Sequence, residues 1–144
     1  MKKKKRIIIF LLFILIVIIY KSITNPLRQI TFYVEKNKEA LNEFSEAYFA
    51  GETQEEKFGD IEVNGIFGTD PEILQFFYSG KGIVPASVYY GFYYSPTDTP
   101  TTFQGYNYAL TEVDDNEWEW EAGGDNGGRI KKLDTCWYYY EAWF

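Results

Sequence analysis

Residues 7–20 carry no charge and are almost entirely Ile, Leu, Val and Phe, and the five residues before them, Lys2-Lys3-Lys4-Lys5-Arg6, are all basic. A helix packed into a globular core keeps a polar face, and this run has none, so its uniform apolarity suits lipid. Fourteen residues rise only ~21 Å, short of a ~30 Å hydrocarbon core. Lys21 can snorkel and Tyr20 suits an interface, which extends the span over residues 7–24. The basic block predicts that residues 1–6 are cytoplasmic and that everything from Asn25 onward lies outside. A cleaved secretory signal has the same outline, and cleavage would make the mature protein secreted. Ser22 and Thr24 imitate a small-x-small cleavage site poorly, no Ala-x-Ala follows, and no nearby Cys offers a lipid attachment point. An uncleaved single-pass anchor is therefore the preferred reading. A pilin-like subunit shares the outline but carries a Gly cut site before Phe and a Glu five positions on, both missing here.

Past the apolar run the period of the pattern changes. Asn25-Pro26 has the form of a helix start, with Asn as N-cap and Pro in the first turn. Ile30, Val34, Leu41, Phe44 and Tyr48 then recur at helical spacing, with Glu35, Lys36, Lys38, Glu39, Glu43 and Glu46 on the other faces. Gly51 stands where a stop belongs. The pattern predicts an amphipathic helix over residues 25–51, its stripe packed on the sheet that follows. Residues 52–59 read as a polar link. Residues 61–67 alternate as a strand, with Gly65 a candidate bulge. Thr69-Asp70-Pro71-Glu72 suits the cap of a short helix ending near Tyr78, and the same stretch also reads as an irregular strand.

From Ile83 onward the chain reads as a β-meander. Val84, Ala86, Val88, Tyr90, Phe92 and Tyr94 form one face of a strand, and Pro85, Ser87, Tyr89, Gly91 and Tyr93 the other. Residues 95–100, with two prolines, form a turn, and residues 106–113 a second strand. Asp114-Asp115-Asn116 is a tight turn. Residues 117–121, Glu-Trp-Glu-Trp-Glu, put carboxylates on one side and indoles on the other. A Gly-rich loop over residues 123–128 leads to strands at 129–133 and 135–143. Glu119 and Glu121 are placed to pair with Lys131 or Lys132 across the hairpin. The fold class is α+β: a transmembrane helix, an amphipathic helix, and a mainly antiparallel β domain over residues 52–144 that packs with the helix as one unit.

Charge sharpens this picture. Beyond residue 24, eight basic residues face 21 acidic ones, a net charge of −13. That sign argues against nucleic acid and against docking on anionic lipid; it favours solubility and suits cationic partners. The chain has no histidine, which removes Ser–His and Cys–His catalysis and His-ligated zinc. Its single cysteine, Cys136, has no partner for an internal disulfide, and its place before Trp137 predicts burial in a strand.

The candidate binding residues are aromatic. Trp118, Trp120, Trp137 and Trp143, with Tyr89 and Tyr93 flanking Gly91, could stack on sugar rings or peptide side chains, and Tyr89 and Tyr93 are the better candidates for exposure. The plainer expectation is that Trp118 and Trp120 form the core face of their strand. The oxygen-rich turns at residues 114–117 and 125–126 lie at opposite ends of one strand, about 20 Å apart, too far to share a Ca²⁺ ion. Neither metal nor cofactor is expected. Glu117, Glu119 and Glu121 could serve a carboxylate-only hydrolase, but alternating Glu is also what a solvated strand face looks like.

Tyr89-Tyr90-Gly91-Phe92-Tyr93-Tyr94-Ser95-Pro96 with Asp98, then Trp118-Glu119-Trp120, Asp125-Asn126-Gly127-Gly128 and the closing Trp137-Tyr138-Tyr139-Tyr140-Glu141-Ala142-Trp143-Phe144, resemble segments of small single-pass bacterial membrane proteins, Gram-positive in type, with an external aromatic-rich domain. The resemblance implies the architecture and carries no function. The expected role is a membrane-tethered interaction module for a protein or glycan of the cell envelope, not an enzyme; an immunity or inhibitor protein falls in that class. The alternatives are a small carboxylate-dependent envelope hydrolase and a structural subunit of a membrane assembly.

Overall fold

The computed structural model describes residues 2–83 and 86–144, so the first two positions of the alternation that begins at Val84 lie outside the described residues. The long helix α1, Lys2–Ile23, leaves every side chain from Ile7 to Tyr20 exposed. It is long and apolar enough to cross a membrane, and none of residues 6–23 is buried by the rest of the chain. Thr24 ends it, capping the last turn through its hydroxyl, which donates to the Tyr20 carbonyl at 2.9 Å.

Helix α2, Pro26–Phe49, begins as its sequence dictates. The Asn25 side chain accepts from the Arg28 N–H and Pro26 occupies the first turn. It ends in a Schellman motif: Gly51, at φ 75°, donates to Tyr48 O, and Glu52 donates to Ala47 O. Ile30, Val34 and Leu41 are buried against the sheet, with Phe44 and Tyr48 partly so.

Among the described residues eight strands form one antiparallel sheet: β1 Lys57–Phe58, β2 Ile61–Ile66, β3 Ile73–Ile83, β4 Ala86–Tyr94, β5 Thr111–Asp114, β6 Glu117–Glu121, β7 Gly127–Asp134 and β8 Trp137–Trp143. Their order across the sheet is β1-β2-β3-β4-β8-β7-β6-β5. The C-terminal strand therefore sits in the middle, beside β4. Hairpins build each half of the sheet, and one long connection, residues 95–110, joins them.

Both faces of the centre are covered. On the first, α2 lies over Leu74, Phe76, Phe92, Trp137 and Tyr139. On the second, the β4–β5 connection crosses Tyr93, Trp120, Ile130, Tyr138 and Tyr140, contributing Phe103 and Leu110. A strand covered on both faces buries both sets of alternating side chains. That is why Tyr93, expected at the surface, is 1% exposed; its hydroxyl accepts from Thr101 N–H at 2.9 Å.

Several sequence expectations give way to tertiary pairing. Of the two readings open for residues 73–78, the irregular strand holds and the short helix does not: they belong to β3, paired with β2 and β4 on either side. Of the expected second strand, residues 106–113, only 111–113 join the sheet, as part of β5, because residues 106–110 are used in crossing its second face. Gly65 holds regular register against Leu74; the irregularity lies instead between Phe77 and Ser79. Cys136 sits in the β7–β8 turn at φ 64°, half-buried, and not within a strand.

That turn is clasped by Asp98. One carboxylate oxygen accepts from Lys132 Nζ at 2.6 Å, and the other accepts from the Cys136 N–H at 2.8 Å and lies 3.0 Å from the Tyr138 hydroxyl. Burial works to raise the Asp98 pKa, but the bonds from Lys132, Cys136 and Tyr138 outweigh it and leave it lowered. A lowered carboxylate pKa stabilises the fold above the unfolded value of about 3.9, and the contribution is lost as pH falls toward the folded value. Asp98→Asn is therefore expected to melt lower than the native chain at pH 6, with the gap narrowing as the pH falls below about 4. Parallel melting curves across that range would remove the clasp as a source of acid sensitivity.

Candidate functional site

The β4–β5 connection crosses the second face as far as Gln75 of β3 and leaves Asn64 of β2 exposed beside it. There a groove of about 1190 Å³ opens. Its floor carries Asn64 of β2, Gln75 and Phe77 of β3 and Tyr89 of β4; the short turn Phe103–Gly105 and Tyr106 wall it on one side. The groove then continues around the outer edge of β2, where Tyr48 and Phe49 of α2, Phe67 and the link after Gly51 line it.

The wall is pre-assembled. Gln75 is 6% exposed and anchors it from below, its amide N–H donating to the Tyr140 hydroxyl at 3.2 Å and its carbonyl accepting from the Gln104 N–H at 3.1 Å. This holds Gln104 in the left-handed region at φ 54°. The Tyr106 hydroxyl donates to Gln104 Oε1 at 2.7 Å. Tyr89 and Phe103 stack with centroids 6.0 Å apart and planes 8° apart, and Phe77 meets Tyr89 edge-on at 6.1 Å. Fixed amides and aromatic faces suit ligand binding because little side-chain entropy remains to be lost on association.

The rim is acidic. Glu56 and Glu62 line the groove and are exposed, Glu52 and Glu55 lie in the same link, and among the described residues Lys57 is the one basic residue lining it. A second, smaller trough of about 200 Å³ lies where α2 begins, beside Tyr90, Tyr139 and Glu141. Its cations are already engaged: Lys131 pairs with Glu117, and Arg129 meets Glu119 at 2.8 Å. These are not the cross-strand pairs expected from sequence, since Lys132 is drawn away to Asp98. Glu117 and Glu119 are thus each engaged by a cation, which weakens the carboxylate-hydrolase reading. Among the described residues no group of His, Cys, Asp or Glu is arranged to hold a metal ion.

The six aromatic residues singled out by sequence do not form one platform. Tyr89 lines the groove. Tyr93, Trp120 and Trp137 are buried, Trp120 beneath Tyr108 with centroids 5.3 Å apart. Trp118 is half-buried against Tyr138, and Trp143 is half-buried over Gly127. Sequence reasoning missed Asn64, Gln75, Phe77, Phe103, Gln104 and Tyr106. One signal for them existed in Gln75, a lone amide within the apolar run from Ile73 to Phe77.

Comparison with models of protein families, with curated proteins and with solved structures gave no match. The class that stands on structure alone is an α+β domain built on one eight-stranded antiparallel sheet, preceded by an apolar helix that could cross a membrane.

Proposed function

We propose that the chain is a single-pass membrane protein with a cytoplasmic N-terminus, whose acidic domain stands outside the membrane as a binding module for a protein or glycan of the cell envelope. Helix α1 supplies the anchor: its apolar side chains have no cover among the described residues, and Arg6 closes a basic block on the cytoplasmic side. Helix α2, amphipathic in pattern, carries the chain from the bilayer onto the sheet. The observation that carries the functional reading is the groove, concave and aromatic, with the held amides of Gln75 in its floor and Gln104 in its wall. An immunity or inhibitor protein would use such a surface to intercept an incoming molecule, and a charge of −13 beyond residue 24 favours a basic one.

Asn64 is exposed at the floor of the groove, so Asn64→Trp puts an indole across that floor without disturbing the core. With the full chain in nanodiscs, isolated envelope fractions are expected to retain the native protein and to lose about tenfold in retention of the variant, as removal of the main contact surface would require. Equal retention of the two proteins, or retention of neither, would overturn the reading.

A further inference from the structure

The groove bends around a strand edge that the chain leaves unfinished. Strand β1 pairs only Lys57 and Phe58, with Glu62 and Ile61 of β2. One more bond, from the Val63 N–H to Glu56 O at 2.8 Å, extends the cover. Backbone groups alternate in direction along a strand. Ile61 and Val63 point outward, so Gly65 does as well, and among the described residues no strand pairs with it on that side. Here the groove takes in both faces of the sheet: Asn64, Gln75 and Phe77 lie on one side of the edge, Tyr48, Phe49 and Phe67 on the other. A ligand that projects groups alternately to two faces, and needs backbone partners between them, is an extended peptide.

From this geometry we infer that the β2 edge receives an extended, basic peptide segment of another protein by strand addition, with the Gly65 backbone as the pairing point. The inference rests on the binding-module reading and names its ligand class. Charge selects among peptides: Glu56 and Glu62 flank the edge, and Glu52, Glu55 and Asp60 lie close in the chain. Alternate Lys or Arg side chains would meet those carboxylates, while apolar ones in between would enter the Tyr48–Phe67 side. The stacked pair of rings at Tyr48 and Phe67, 6.2 Å apart, stands beside Gly65, where a Cβ would meet Phe67 at 2.5 Å. Glycine thus keeps the backbone low between the rings and open to a partner. The opposite edge, β5, is only four residues long, includes Glu112 and Asp114, and is irregular between them. Such an edge resists pairing.

The test uses the full chain in nanodiscs and a phage-displayed library of random linear dodecapeptides, followed by synthetic copies of the enriched sequence. Enrichment of alternating basic and apolar residues is expected. A single N-methyl group on a peptide nitrogen facing Gly65 should weaken binding more than about tenfold, while N-methylation one residue along should not, because only alternate nitrogens face the edge. Glu56→Gln with Glu62→Gln, both exposed, should weaken binding severalfold at low salt and little at high salt. Binding that ignores the N-methyl position, or that persists unchanged in the double variant, overturns strand addition. If no peptide binds and Asn64→Trp still abolishes retention on envelope glycan, the module reading survives and the peptide inference fails. If neither peptide nor envelope material binds, both fail.

Discussion

Gly91→Ala is expected to abolish or severely weaken the folded domain. Gly91 lies buried in β4, flanked by Phe77 of β3 and Tyr140 of β8. A Cβ there would sit 2.1 Å from the Phe76 carbonyl oxygen and 2.4 Å from the Tyr140 hydroxyl. Rotating a side chain cannot relieve the first contact, because the obstructing atom is backbone. The second displaces a fully buried ring whose hydroxyl accepts from Gln75. Overpacking against backbone stands at the upper end of the usual range, about 3 kcal/mol, against a total stability of roughly 5–15 kcal/mol. A fall in melting temperature of about 10 °C or more follows, if a cooperative transition remains at all. Gly124→Ala is the matched control: its φ is +64°, but nothing lies within 4 Å of the added carbon. Its cost should be only the strain of left-handed backbone, about 1–2 kcal/mol. Near-ultraviolet circular dichroism during thermal melting, in the same detergent, reads both variants. Similar melting of Gly91→Ala and the native chain would show that the centre of the sheet is looser than described.

Trp137→Ala is expected to be comparably damaging for a different reason. Trp137 is wholly buried at the contact between β8 and α2. Its ring lies 5.7 Å from Phe76, 5.8 Å from Phe92 and 5.1 Å from Tyr94, and its indole N–H donates to Asn42 Oδ1 at 2.8 Å. Truncation removes the ring, leaves a cavity and strands the Asn42 carbonyl, a loss of about 3–5 kcal/mol. Trp137→Phe keeps most of the packing and loses the bond, so about 1–2 kcal/mol should separate it from the native chain. Hydrogen exchange makes the prediction local: amides of α2 should lose protection first, since this side chain ties the helix to the sheet. Uniform loss across β6 and β7 would contradict that role.

The parts of this fold that were legible in the sequence are those decided by local chemistry. Asn25-Pro26 and Gly51 bound α2 because capping and left-handed backbone involve only near neighbours. The hairpin around Asn116 and the alternation of residues 117–121 were readable for the same reason. The stretch around Asp70-Pro71 was not, since turn residues before an apolar run announce a helix start and a strand start alike. There β2 and β4, pairing on either side, decide the outcome. Alternation could not show that Tyr93 is buried, because a pattern of period two does not say how many faces are covered. Only the course of residues 95–110 over the second face reveals it. The groove was illegible as a site because Asn64, Gln75, Phe77 and Gln104 come from three separate elements, none with a motif of its own.

The central claim is that a membrane helix presents this groove outside the cell for occupation by a partner. One labelling measurement on intact cells addresses both halves. Gln54→Cys places a thiol on the exposed rim of the groove, and Val113→Cys, 50% exposed, places one on the far edge strand; both are made with Cys136→Ser. A membrane-impermeant maleimide carrying a photo-crosslinker is expected to label both positions without permeabilisation, and light should then yield a discrete adduct from Gln54→Cys alone. Labelling that requires permeabilised cells would contradict the orientation, and adducts from neither position, or equally from both, would contradict the groove as the binding site.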